Sequence, residues 1–363
     1  MNLRRLGSII VKELRQLRRD RLTFAMIIGI PTMQLVLFGY AINMDVRHLE
    51  AAVLDQANTA RSRELIAQMA TTEVMNFGRR VATPQEMDAL LRSGEISAAL
   101  VLPPDFEARL ERRDRAAAQI VVDGSEQVIQ SAARQLAAFP IYGSTGWSSR
   151  VGGVEVVNFY NPERRAAVNT VPGLIGVILT MTMVLFTAIA LVRERERGNL
   201  EMLIATPVSP WELTLGKVLP FVAIGLVQVT VVLALGKVLF AVPLRGSLAE
   251  LYLAALVFIV ASLALGVFLS TLARSQFQAM QMAFFTFLPQ ILLSGFMFPY
   301  AGMPVPAQYV AEILPLTHFL RLVRGIMLRG ADLTELWPSL AALGVFIAVM
   351  LGLAVSRVRK RLD

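Results

Sequence analysis

The sequence predicts an α-helical polytopic membrane protein: six transmembrane helices, an N-terminal amphipathic interfacial helix, and a small α/β extracytoplasmic domain between spans 1 and 2. Three observations carry this expectation. The 363 residues are 55% hydrophobic, with a mean hydropathy of +0.57, which is too apolar for an ordinary soluble protein. Runs such as 166–192 and 218–236 carry no charge, and a bilayer crossing needs about 20 apolar residues. Charge is also unevenly spread. Residues 45–165 hold 14 Lys/Arg and 16 Asp/Glu, whereas the remainder holds 21 and 11. The basic excess therefore belongs to the membrane part, where it reads as positive-inside bias rather than nucleic-acid binding.

Residues 1–21 are expected to form the interfacial helix. Leu3, Leu6, Ile10, Leu14 and Leu17 share one face, and Arg4, Arg5, Lys12, Arg15, Arg18 and Arg19 occupy the others, as in a helix lying among headgroups. Residues 22–44 form the first span, kinked at Pro31. Residues 45–165 form the polar domain. Strands are expected at Ala51–Leu54, near Gly78–Val81, at Ile96–Leu102 and at Gln119–Val122. Helices are expected at Arg61–Met69, from Thr83, from Pro104, and from Ser125 to Phe139. Thr83-Pro-Gln-Glu86 is a capping box with Pro at the first helical position. Residues 143–160, rich in Gly and Ser, read as a loop leading back to the membrane.

Residues 166–363 carry the remaining spans, at about 170–192, 218–240, 251–273, 277–298 and 336–356. The charge-free run 275–311 is too long for one span and is interrupted by Pro289, Pro299, Pro304 and Pro306. Residues 299–324 are therefore expected as a re-entrant or surface-lying stretch at the outer leaflet, where irregular backbone must be covered by protein or face water. Six spans place both termini in the cytoplasm and put 16 of the 21 membrane-part cations on that side. Arg321, Arg324 and Arg329 fall outside and break the pattern.

Several chemistries are excluded. There are no cysteines and only two histidines, His48 and His318, so no disulfide framework or Cys-based metal site exists, and no zinc-hydrolase motif is present. The pairs Gly216-Lys217 and Gly236-Lys237 are each followed by Val and flank an apolar span, so neither is a phosphate-cradling P-loop. None of the six expected spans contains Asp or Glu, which argues against an intramembrane enzyme. A membrane-anchored sensor with an outer domain is a second reading, but no cytoplasmic stretch is long enough for a signalling domain.

The segment 193–217 is a short charged connector between two apolar runs. Leu200, Leu203 and Ile204 give a small helix one apolar edge, and Thr206-Pro207 stops it. Ser209-Pro-Trp-Glu212 is a second capping box. On the residues alone, Arg193–Arg197 is a solvated charge run with helical ion pairs. His318, Arg321 and Arg324 share a helical face after the Pro-rich stretch; they read as a pathway element, or as structural cations that pair with Glu312 or reach headgroups. Gln228, Gln276, Gln278, Gln281 and Gln290 either line a pathway or bond between helices.

From Arg193 through Lys217 the pattern R-E-R-E-x-G, L-E-x-L, T-P-x-S-x-x-E-L and G-K resembles the cytoplasmic loop of ABC-2 type transporter permeases. Leu293-Ser-Gly-Phe-Met-Phe-Pro299 with Met303-Pro304, and Pro315-Leu-Thr-His-Phe-Leu-Arg-Leu-Val-Arg-Gly325, are similar in the same way. The resemblance covers essentially the whole chain and is nearest to drug or small-molecule efflux permeases. A lipid or polysaccharide exporter of the same superfamily is the nearer rival.

The resemblance implies that the loop is a coupling helix docking on a separate ABC ATPase, with Arg193, Glu194, Arg195, Glu196, Gly198, Leu200, Glu201, Leu203, Thr206 and Pro207 as its residues. From its prolines and cations, the stretch containing Gly295, Pro299, Pro304, Pro315, His318, Arg321 and Arg324 is expected as an outer gate or re-entrant element. The chain would bind no cofactor or metal itself, with ATP and Mg on the partner ATPase. Its partners would be that ATPase, a second permease subunit (identical or paralogous), a periplasmic membrane-fusion protein and the bilayer, but no nucleic acid. Its location would be the bacterial inner membrane.

Overall fold

The computed structural model describes residues 49–112, 114–124, 127–137, 153–163, 165–196 and 210–359. The expected interfacial helix 1–21, the span 22–44 and the connector residues 197–209 lie outside the described residues.

A five-stranded sheet forms the polar domain: β1 (Leu49–Asp55), β2 (Met75–Arg80), β3 (Ala98–Leu102), β4 (Ala118–Asp123) and β5 (Val154–Phe159). Their order is β2-β1-β3-β4-β5, and all pairings are parallel except β3 with β4. The helices are α1 (Ala60–Ala70), α2 (Pro84–Ser93), α3 (Phe106–Arg112) and α4 (Gln127–Ala137). Successive side chains of a strand point to opposite faces, and both faces are covered here. Ala51, Val53, Leu100 and Ile120 pack with Leu65 and Met69 of α1, Phe106 of α3, and Ala133 and Leu136 of α4. Ala52, Leu54, Ala99 and Val121 pack with Met87, Leu90 and Leu91 of α2. The Thr83 side chain accepts the Glu86 N–H and starts α2, but Glu86 accepts from Ala82 N rather than Thr83 N, so only half of the expected capping box forms.

The segment expected as a loop over 143–160 contains β5, which pairs in register with β4 from Ala118–Val154 to Asp123–Phe159. Val154 and Val156 join one core, Val157 and Phe159 the other. The glycines and serines obscured a short period-2 pattern that only its neighbouring strand makes decisive.

Four helices among the described residues are long and apolar enough to cross a membrane: Ala166–Glu196, Leu219–Phe240, Leu248–Leu272 and Trp337–Arg357. They belong to α5 (Ala166–Glu196), α6 (Pro210–Phe240), α7 (Leu248–Leu272) and α11 (Trp337–Arg359). Helix α8 (Gln276–Leu293) stands where a fifth span was expected. Its four glutamines make it less apolar, although 18 residues reach about 27 Å, near the thickness of a hydrocarbon core. Pro289 lies inside α8 rather than ending it. The helix stops at Ser294 and Gly295, where Gly295 takes φ +86°, a conformation that costs glycine least.

Helices α5 and α7 form the centre. Gly266 of α7 makes the contact close: a Cβ there would meet Thr187 Cβ at 2.8 Å and the Val184 carbonyl at 2.9 Å. Small residues let helix backbones approach in a membrane. Phe258 of α7 stacks on Phe319, with ring centroids 4.2 Å apart and planes within 9°. Helices α6 and α11 are mostly uncovered, with Val227, Val231, Leu235, Val345 and Val349 exposed. Gln228 of α6 accepts a hydrogen bond from Thr182 Oγ1 of α5 at 2.9 Å, the interhelical use of a membrane glutamine.

Candidate functional site

Two clusters of the sequence-predicted residues lie at opposite ends of the helix bundle. The first is at the end of α5. Arg195 donates to the Ser270 carbonyl at 2.7 Å, near the end of α7. Glu196 accepts from the Gln276 backbone N–H at 3.0 Å and from its side-chain amide. The last carbonyls and first amides of a helix lack intrahelical partners, so a cation near the end of α7 and a carboxylate at the start of α8 both satisfy orphan groups. Ser275 caps α8 through Gln278 N at 3.2 Å, and Gln278 in turn accepts from Arg274 N at 2.9 Å. Arg193 is exposed, and Glu194 is half-buried. Gly198, Leu200, Glu201, Leu203, Thr206 and Pro207 lie outside the described residues. Residues 210–217, expected within the connector, begin α6.

The second cluster follows α8. A 3₁₀ turn (Tyr300–Gly302), α9 (Val305–Ile313) and α10 (Pro315–Arg324) replace a continuous helix. Pro299 precedes the turn, Pro304 precedes α9, and Pro315 opens α10, each where a missing N–H costs least. Residue Glu312 organises the hairpin. Its carboxylate accepts two hydrogen bonds from Arg321, one of 3.0 Å, and the Arg321 guanidinium lies 4.7 Å from the centre of the Tyr300 ring. His318 Nε2 sits 2.8 Å from the Glu312 carbonyl. Arg324 is buried and donates to the Gly295 carbonyl at 3.2 Å, joining α10 to the end of α8. Thus Gly295, His318, Arg321 and Arg324 meet, while Pro299, Pro304 and Pro315 shape the backbone.

A cavity of about 1090 Å³ opens between this hairpin and the sheet domain. Arg321, Arg324 and Arg329 line it from the helices, and Glu50, Glu95 and Asp123 from the domain. Sequence reasoning did not connect Ser270 or Gln276 with the end of α5, Tyr300 with the arginines, or Asp123 with Arg329. The only signal was indirect: three arginines on the side where the charge rule expects few.

The family model for "ABC-2 family transporter protein" matches residues 21–356. The chain is 30% identical over 363 residues to "Probable multidrug ABC transporter permease YbhR" of Escherichia coli (strain K12), covering 98% of this chain and 99% of that protein. It is 28% identical over 372 residues to "Probable multidrug ABC transporter permease YbhS" of the same organism, covering 99% and 98%. It is 27% identical over 393 residues to "Inner membrane transport permease YhhJ", again of that strain, covering 99% and 98%. With a family model running almost from end to end and relatives matched over nearly their full lengths, this chain belongs to the ABC-2 transporter family.

Proposed function

We propose that this subunit moves drug-like or other amphiphilic small molecules outward across a bacterial inner membrane, through six spans with both termini cytoplasmic. In this reading the sheet domain lies outside, between spans 1 and 2. As a family member the chain is an integral-membrane permease subunit of an ABC exporter, and the ATPase site resides on a separate subunit. ATP and Mg would bind that partner, and a second permease subunit would complete the membrane unit. A periplasmic membrane-fusion protein is the further partner we assign to the outer domain. Two relatives are named as multidrug permeases, which supports the substrate class.

One observation carries the mechanism. Helix α8 starts at Gln276, held by Glu196, and its end at Gly295 is held by Arg324. The charged end of α5 and the outer hairpin are therefore joined by one helix. Residues 193–207 would receive the closing motion of the ATPase dimer. Arg195 and Glu196 would pass it to α7 and α8, and α8 would shift the hairpin that closes the outer end of the pathway. Rigid elements with two arrangements are what carry such coupling.

Substituting Leu203→Asp tests this reading. It should leave the protein inserted but abolish co-purification of the ATPase, since losing a docking anchor costs about 2 kcal/mol or more. Arg324→Ala should retain the ATPase and change export or substrate range. Loss of the ATPase from Arg324→Ala as complete as from Leu203→Asp would reject this placement of the two ends.

A further inference from the structure

Among the described residues, a buried charge pair joins the sheet domain to the membrane helices. Asp123, the last residue of β4, and Arg329, the last residue of a π-helical turn over Gly325–Arg329, lie 3.6 Å apart, with side chains only 7% and 9% exposed. Ion pairs within the domain, Arg79–Glu95 and Arg115–Asp105, are solvent-exposed by contrast and contribute little. A buried pair differs: removing either partner leaves the other charge in a partly desolvated site.

The surroundings are built for the guanidinium. Gly94, the C-cap of α2, takes φ +78°, and a Cβ there would lie 2.2 Å from Arg329 Nη1. A Cβ on Gly325 would lie 3.4 Å from Nη2. The turn itself is pinned from the membrane side. Its Ile326 and Met327 carbonyls accept the N–H groups of Gly246 and Arg245, each at 3.0 Å. Arg245 in turn stacks over Tyr160 at 5.5 Å and donates to the Tyr160 carbonyl at 3.3 Å. Burial first, then the nearby Asp88 and Asp123 charges, push the Tyr160 hydroxyl up to about 12, so it stays neutral beneath Arg245. The π turn continues directly from α10, whose Arg321 and Arg324 hold the hairpin and the end of α8. Such widened turns are frequent at functional positions.

We infer that Arg329 is a positioning residue that clamps the sheet domain to the end of α10, so that displacement of the domain moves the outer hairpin. A partner docking on the domain would thereby bias the outer end of the pathway, and opening of that end would tilt the domain. This rests on the reading of residues 299–324 as the outer gate. It does not depend on which residues dock the ATPase.

The test uses the full transporter, reconstituted with its ATPase and partner permease. Arg329→Met and Asp123→Asn should each lower export about tenfold while ATP hydrolysis by the assembled complex stays near wild type. Arg329→Lys, which keeps the charge, should restore part of the loss. Hydrogen exchange at residues 94–97 and 119–123 should rise in Arg329→Met and not in Arg324→Ala. Wild-type export from both Arg329→Met and Asp123→Asn would overturn the clamp. So would a loss of export that merely follows loss of assembled protein, or equal loss in Arg329→Lys and Arg329→Met. Where Arg329→Met fails to assemble, Asp123→Asn, which keeps the side-chain shape, decides. A third arm needs no loss of fold: the chain has no native cysteine, so cysteines at 123 and 329 can be bridged by a reducible bis-thiol linker. The double substitution removes the charge pair and should lower export, bridging should restore export by replacing the clamp, and reduction should lower it again. Export that is equally low in the bridged and reduced proteins would also overturn the inference.

Discussion

At the scale of residues, the hairpin turns on Glu312. It bonds Arg321 through both carboxylate oxygens and offers its carbonyl to His318. The pair is about one-third exposed on each side, so solvent screens much of its attraction. A double-mutant cycle of Glu312→Gln and Arg321→Met should return a coupling of about 1 kcal/mol in the thermal stability of the purified subunit. Additive effects would show that the two side chains do not act together. The pairing of Glu312 with the arginines was legible as an alternative in the sequence, because His318 and Arg321 lie three apart on one helical face. Tyr300 was not legible as their partner, since nothing local marks an aromatic ring twenty-one positions away as the platform for a cation.

At the scale of elements, helix ends explain more than helix interiors. The Thr83 cap could be read from four consecutive residues, because capping is a local interaction. The start of α8 could not. Its Gln276 N–H is satisfied by Glu196, eighty positions earlier, and the run Arg193–Arg197 looked like solvated charge. Glu196→Ala should leave that N–H to water and loosen the α5–α8 junction. Export should fall relative to ATP hydrolysis. An unchanged ratio of export to hydrolysis in Glu196→Ala would refute the junction. Packing at Gly266 is a separate test of the bundle. Leu in its place would push against the Val184 carbonyl, and overpacking of about 1–3 kcal/mol should appear as a lowered melting temperature. A Gly266→Leu protein as stable as wild type would contradict the close α5–α7 contact.

At the scale of the whole molecule, the arrangement predicts sidedness. Cysteines placed at Glu107, exposed on α3, and at Arg193, exposed at the end of α5, should react with impermeant thiol reagents from opposite sides of intact cells, against no background thiol. Reaction of both from one side would exclude a sheet domain outside the membrane with the α5 end inside.

The sequence by itself determined the apolar helices, the polar domain of alternating strands and helices, the proline-broken hairpin and the family. Each of these is written in periodicity, composition or short motifs, which are local properties. Tertiary structure decided the rest. Val154–Phe159 became a strand because β4 offered it a parallel partner. Arg195 and Glu196 turned toward α7 and α8 because the ends of those helices presented unpaired backbone groups. Arg329 found Asp123 because Gly94 left space for its guanidinium between the two parts of the chain. Such pairings join residues tens to about two hundred positions apart, and they form only once packing brings backbone groups and side chains together that need partners.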